Sequence, residues 1–265
     1  MEEESAVNMM IFSTAIRNIH SPIIICGCHG SGTSYVTKLL RWLGLFVGAD
    51  AGKFTDRKLH ESKVYTKTNE RILQALTGGC TFGMRTVDEE EWSRYFSNIE
   101  NADSFARAAQ EIDLEDINKR YWGINNVIQF VLRGENLKKK IWAWKDPRNS
   151  LTLPFWLQIY ESARILVITQ KWKGGGKGNS GSGSWFKNES TEEVRHIYMN
   201  PPALDTGKTD HYFFDFDQGL GDRSEFNRLL NWIGLPSVSA SAYSNLLERT
   251  GYERRGATIT EPSLL

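Results

Sequence analysis

Three short runs in this 265-residue chain hold the residue types that chemistry needs. The first is Gly27-Cys28-His29-Gly30-Ser31-Gly32-Thr33-Ser34. Gly27 and Gly32 have the spacing of the phosphate-cradling loop G-x-x-x-x-G-K-[ST], with Thr33 where that motif places lysine. Glycines free main-chain N–H groups to converge on one point. The positive end of a following helix adds to them, so the run suits a phosphate-like anion. Without the lysine, a nucleoside triphosphate lacks its usual cationic partner at the β/γ-phosphates. The amides from Gly30 to Ser34 are the expected donors, joined by the Ser31, Thr33 and Ser34 hydroxyls and by His29 when protonated. The second run, Lys145-Asp146-Pro147-Arg148, sets a lysine at the end of an apolar strand, where open α/β sheets bind ligands. The third, His60-Glu61, offers two competing general bases, with Glu61 preferred. Each has a structural alternative: Lys145 in a salt bridge to Asp146 or another acid, Glu61 complementing a helix dipole, His29 satisfied by backbone, Arg148 bracing its turn.

Rigid elements must aim these groups. Ile23–Cys26 reads as a buried strand, and Thr33–Leu43 as a helix with Val36, Leu39, Leu40 and Leu43 on one face, ended by Gly44. After a polar stretch, Ser62–Leu76 forms a second helix around Val64, Tyr65, Ile72, Leu73 and Leu76, stopped at Gly78-Gly79. Asp88 to Lys140 is helical in pattern, its charge runs at solvated helix ends. Ile141–Trp144 is a short strand, Leu151–Glu161 a helix and Arg164–Thr169 a strand, which together predict a right-handed parallel crossover. His211–Phe216 is a further strand. Ser190 with Glu193 and Asp222 with Glu225 match capping boxes, and Gly234 ends the helix that runs through Trp232. The prediction is one domain over residues 1–265: an α/β fold of the P-loop type, three layers, with a mostly parallel sheet flanked by helices. A glycine- and serine-rich segment at 173–184 has the composition of flexible coil, a lid or an artificial linker.

Lys+Arg and Asp+Glu balance at 32 each. No bulk attraction to nucleic acid or to an anionic membrane is expected, so any anion site must be local. Cys26, Cys28 and Cys80 are too few for a disulfide framework and fit a reducing compartment. The C-x-C pair lacks the second ligand pair a zinc site needs. The acidic start Met1-Glu2-Glu3-Glu4 is unlike a signal peptide, and no apolar run approaches the ~20 residues of a membrane span. The cytoplasm is the expected location. Nine Trp and thirteen Phe are read as core packing.

Taken in order, these runs resemble the sulfotransferase family, particularly its bacterial members. The loop Gly27–Ser34 is similar to the family's G-x-H-R-S-G-T-S. Lys145-Asp146-Pro147-Arg148, then Leu153-Pro154-Phe155-Trp156 and the strand to Thr169, resemble its later K-D-P-R, L-P-x-W helix and strand. His60-Glu61-Ser62, Asn69-Glu70-Arg71 and the unit from Tyr212 to Trp232-Ile233-Gly234-Leu235-Pro236 add to the likeness.

The resemblance implies transfer of a sulfuryl group from 3′-phosphoadenosine-5′-phosphosulfate (PAPS) to a hydroxyl of a carbohydrate or small metabolite. Adenosine 3′,5′-bisphosphate (PAP) is released, and no metal is needed. It implies Lys145, Glu61 and His29 as catalytic residues. Cofactor binding falls to His29, Gly30, Ser31, Gly32, Thr33, Ser34, Gln170, Lys171 and Ser180. Gly30 and Gln170 depart from the family, which carries basic residues at both places; Lys171, Lys173 and Lys177 are the nearby substitutes. Arg254-Arg255-Gly256 is similar to a basic cofactor-contacting segment in some relatives. Two rival readings stand beside this one. A nucleoside-triphosphate-dependent kinase would need Asp146 as its magnesium ligand, and a non-catalytic sulfotransferase-like binding protein would keep only the fold.

Overall fold

An apolar run with no polar alternation belongs in a sheet covered on both faces. Strand β1 (Ile23–Gly27) is such a run, buried along its whole length. Its two-residue period sends Ile24 and Cys26 into one core and Ile23 and Ile25 into the other. The computed structural model describes residues 21–49, 60–79, 89–99, 112–134, 140–170, 196–204 and 209–250. The segment 173–184, the Ser190–Glu193 pair, Lys171, Ser180, Cys80 and Arg254-Arg255 lie outside the described residues.

Helix α1 (Thr33–Trp42) follows β1, then α2 (Lys63–Thr77), α3 (Glu89–Ile99), α4 (Leu114–Trp122) and α5 (Ile124–Leu132). Strand β2 (Ala143–Lys145), helix α6 (Asn149–Ile159) and strand β3 (Arg164–Thr169) come next. Strand β4 (His211–Asp215) runs into a single turn, α7 (Phe216–Gly219), before α8 (Arg223–Ile233) and α9 (Ala240–Thr250). The four strands are parallel, in the order β2-β1-β3-β4. This is the expected α/β class. β2 and β3 are parallel as expected, but they are not neighbours, because β1 lies between them. The carboxyl end of β1 therefore opens mid-sheet, with Lys145 opposite Ile25 on one side and Leu166 opposite it on the other.

One face of the sheet is covered by α2, α4 and α6 and the other by α1, α8 and α9. The first face takes most of the aromatic side chains: Trp122, Trp142, Trp144 and Trp156 are fully buried there. Tyr65 stacks on Trp144 with centroids 4.1 Å apart, and Phe46 on Trp122 at 4.4 Å. Offset ring packing of this kind adds to the area buried and holds α2 and α4 against the sheet.

Several expected boundaries shift for local reasons. Among the described residues, the pattern from Asp88 to Lys140 shows three separate helices, α4 and α5 meeting at Gly123 with φ 64°. β2 begins at Ala143, while Trp142 makes only an isolated bridge to Phe46. Helix α6 runs from Asn149 to Ile159, two residues earlier at each end than expected, with Pro154 inside it. Only one arm of the Asp222 capping box forms, with Asp222 accepting from the Ser224 N–H. Glu225 instead accepts from the Tyr212 hydroxyl and pairs with Arg228. Helix α9 was not expected, although Tyr243, Leu246, Leu247 and Thr250 keep an i, i+3, i+4, i+7 stripe.

Gly27 sits where β1 must turn without a side chain: φ is 138° and a Cβ would lie 2.5 Å from the Ile168 carbonyl oxygen. Gly78 also has positive φ, but a Cβ there meets nothing within 4 Å. Gly27→Ala should cost at least about 2 kcal/mol of unfolding free energy, against about 1 kcal/mol for Gly78→Ala. Equal losses in urea unfolding would show that the Ile168 carbonyl does not crowd the turn.

Candidate functional site

The loop after β1 is built from positive-φ glycines: Gly27, Gly30 (φ 81°) and Gly32 (φ 86°). The Ser31 N–H donates to the Cys28 carbonyl at 3.1 Å and the Ser31 hydroxyl to the same oxygen at 2.7 Å. Ser31 therefore closes the turn, where the sequence assigned its hydroxyl to an anion. Thr33 is buried with its methyl carbon toward Gly27. The aromatic ring of Phe216 lies directly on Gly32, so a Cβ there would stand 2.0 Å from it. Only glycine fits.

Gly32 caps α1, which has no side-chain cap and no acidic residue in its first turn. By contrast, Asp113 and Asp222 cap α4 and α8 with their own carboxylates. Among the described residues, no protein acceptor takes the main-chain N–H of Gly30, Gly32, Thr33 or Ser34. Orphan amides at a helix N-terminus form a concavity of positive potential. This is what an anion site requires.

Lys145 ends β2 beside this loop and is only 2 % exposed. Its ammonium donates to the Ser34 hydroxyl at 3.0 Å and to Glu61 Oε1 at 2.5 Å. Of the acids its structural alternative allowed, Lys145 pairs with Glu61 and not with Asp146. Burial raises the Glu61 carboxyl above its ordinary range, and Lys145 offsets this only in part. A buried ammonium without such partners would be costly, so Glu61, two residues ahead of α2, is tied to the end of β2.

Asp146 is wholly committed elsewhere. Arg148 donates to it through Nε (3.0 Å), a terminal guanidinium nitrogen (2.9 Å) and its main-chain N–H (2.9 Å). Burial alone would raise the Asp146 carboxyl, but the Arg148 guanidinium outweighs it and holds the group below its usual value. Arg148 also reaches Glu70 at 3.0 Å. Arg148 is the turn brace the sequence suggested. Asp146, the magnesium ligand of the kinase reading, is thus engaged by Arg148 through both of its oxygens. No cluster of His, Cys, Asp or Glu among the described residues could hold a metal ion, and none of their helices is long and apolar enough to cross a membrane.

His29 is mostly buried in the loop, its ring 6.0 Å from that of Tyr198. Burial first, then the positive charge of Lys145, lowers its pKa to about 4. Near neutral pH these surroundings favour the neutral imidazole. His60 is buried with left-handed backbone, φ 53°, and does not join Lys145, whose side-chain partners are Ser34 and Glu61. Gln170, just past β3, donates to Asp217 at 3.4 Å. Lys171 and Ser180 lie outside the described residues.

The structure thus brings together Ser34, Lys145 and Glu61, separated by up to 111 residues in sequence. Phe216 escaped notice because nothing in its neighbourhood marks a ring that must lie on a glycine.

No family model matches the chain, and no curated protein matches it. Among solved structures it is similar to the sulfotransferase STF1 from Mycobacterium tuberculosis H37Rv, at 13% identity and a TM-score of 0.42. That match covers 93% of this chain and 79% of the other. A likeness at this level bears on neither activity nor substrate.

The depressed His29 pKa has a definite consequence for stability. Its contribution is complete above the unfolded value near 6.5 and is lost as pH falls toward about 4, because the unfolded chain takes up the proton first. Glu61, raised on folding, acts with the opposite sign, so the His29 part appears as a difference between proteins. His29→Gln should flatten the fall in unfolding free energy between pH 6.5 and 4. Parallel curves for the two proteins would mean that the imidazole titrates normally.

Proposed function

We propose that the protein transfers a sulfuryl group from PAPS to a hydroxyl of a carbohydrate or small metabolite. One observation carries this reading: the buried Lys145 ammonium is held between Ser34, at the start of the loop helix, and the Glu61 carboxylate. An anion site, a mobile cation and a carboxylate within a few ångströms are the parts that in-line transfer needs.

PAPS supplies the activated sulfonate. The free amides of Gly30, Gly32, Thr33 and Ser34 suit its 5′-phosphate, and Gly32 leaves the main chain open to close approach. Lys145 meets the negative charge that develops on the phosphate oxygen as its bond to sulfur breaks. Glu61, released from Lys145, accepts the proton of the acceptor hydroxyl as the new oxygen–sulfur bond forms. The raised Glu61 pKa favours that transfer. Gln170, bonded to Asp217, provides no positive charge for the 3′-phosphate. This favours a second reading, a related binding protein with weak affinity for the nucleotide and no turnover.

Calorimetry separates the readings. Binding of PAP without magnesium supports sulfuryl transfer, while magnesium-dependent binding of ATP would replace it with a kinase. PAP binding with no turnover on a panel of hydroxyl acceptors would leave the second reading.

Two variants test the roles. Lys145→Ala should abolish transfer, by about 10³-fold or more, with circular dichroism unchanged. Glu61→Gln removes the carboxylate that competes for Lys145 but keeps its shape. It should lower kcat by about 10²-fold or more and leave PAP binding equal or tighter. Weaker PAP binding in Glu61→Gln would show that the carboxylate does not compete with the nucleotide for Lys145.

A further inference from the structure

Behind the candidate site lies a chain of buried hydrogen bonds that neither the loop chemistry nor the proton transfer uses. Asn69, on the second turn of α2, is wholly buried, and so is Asn149, the first residue of α6. Asn69 Oδ1 accepts from the Thr152 hydroxyl and from Trp156 Nε1, each at 2.8 Å. Its Nδ2 donates to Asn149 Oδ1 at 2.8 Å. Asn149 Oδ1 also accepts from Trp144 Nε1 at 3.1 Å, and Asn149 Nδ2 donates to the Ile25 carbonyl at 2.9 Å.

We infer that Asn69 is a positioning residue that sets Glu61 against Lys145 through Asn149, an inference that rests on the sulfuryl-transfer reading for its catalytic consequence. Each end of the chain adjoins one arm of the site. Trp144 is the residue before Lys145, and Ile25 is the register partner of Lys145, two residues ahead of Gly27. Asn69 stands on the helix that follows Glu61 directly. The polarity of the chain is fixed. The Trp156 indole, a donor only, claims Asn69 Oδ1, so only its Nδ2 can face Asn149, and Trp144 fixes Asn149 in the same way. The Thr152 hydroxyl, also within reach of the Arg148 carbonyl, adds to the hold on Asn69. Flipping either amide opposes donor to donor or acceptor to acceptor in a dry interior, where an unmet group is costly. The chain therefore admits one placement of α2 relative to the ends of β1 and β2. The neighbouring Arg148–Glu70 contact cannot do the same, because Glu70 is 40 % exposed and its pairing is screened by water.

The test reads Lys145 directly. Trace acetic anhydride labelling, followed by mass spectrometry, compares Lys145 with the exposed Lys67 on α2 as internal reference. In the wild type Lys145 is protected by burial and by Glu61. In Asn69→Ser its labelling relative to Lys67 should rise by about tenfold. The gentler Thr152→Val, which keeps both amides and removes one donor to Asn69, should raise it by about threefold. In Asn69→Ser, kcat should fall at least about tenfold while PAP affinity stays within about threefold, and the acid limb of the kcat–pH profile should move. A purely structural role would lower Tm and leave that limb in place. Wild-type labelling of Lys145 in folded Asn69→Ser overturns the inference; if that variant does not fold, wild-type labelling in Thr152→Val does so. If the wild type binds no PAP, the function fails while the labelling still decides the positioning claim.

Discussion

A single buried ammonium organises the centre of this molecule. Lys145 reaches the end of β2 almost entirely out of water, and a charge in that position must be neutralised and hydrogen-bonded or it unfolds its surroundings. The partners come from two distant segments, Ser34 at the head of α1 and Glu61 ahead of α2. Meeting that one requirement fixes where both helix starts stand over the sheet. The positive ends of α1 and α2 then gather beside the same cation, while the next acid along the chain, Asp146, is withdrawn into the Arg148 fork. The result is local positive potential in a chain whose formal charges cancel.

The fold was largely legible because its information is local. Ile23–Cys26 and Arg164–Thr169 are apolar runs with turn signals at their ends, and both are buried parallel strands. The glycines of the loop declared a tight strand-to-helix turn, and the turn is there with the helix start uncapped. Illegible was whatever depends on strand order. The spacing of the two strands around α6 predicted a parallel crossover but not the strand order, and β1 lies between them, a choice made by contacts across the whole sheet and by no nearby residue. Partner choice was hidden for the same reason. Asp146 is adjacent to Lys145 in sequence, but neighbours on a strand end point apart, and Glu61 arrives from 84 residues away.

Three polar groups show surroundings that residue type alone does not reveal. Ser31 offers a hydroxyl to any nearby anion in principle, but the geometry of the turn claims it for the Cys28 carbonyl. His29 has the right type for a cation near neutral pH, yet burial and the adjacent Lys145 keep it uncharged. Glu61 moves the other way: burial makes it more basic than its type suggests. Types and spacings locate a site; solvation and neighbours assign its protons.

The contact between Lys145 and Glu61 also links two events that the sulfuryl-transfer reading needs in sequence. Glu61 is a weaker base while its carboxylate is held by an ammonium than burial alone would make it, since that pairing lowers its affinity for a proton. An anion settling on the loop amides competes for the same ammonium from the Ser34 side. As Lys145 turns toward it, Glu61 loses the partner that opposes its burial and becomes a stronger proton acceptor. Occupation of the loop thus raises the basicity of the group that must deprotonate the acceptor, with no movement larger than a lysine side chain. The ion pair that holds the site together is then the element that readies it for transfer.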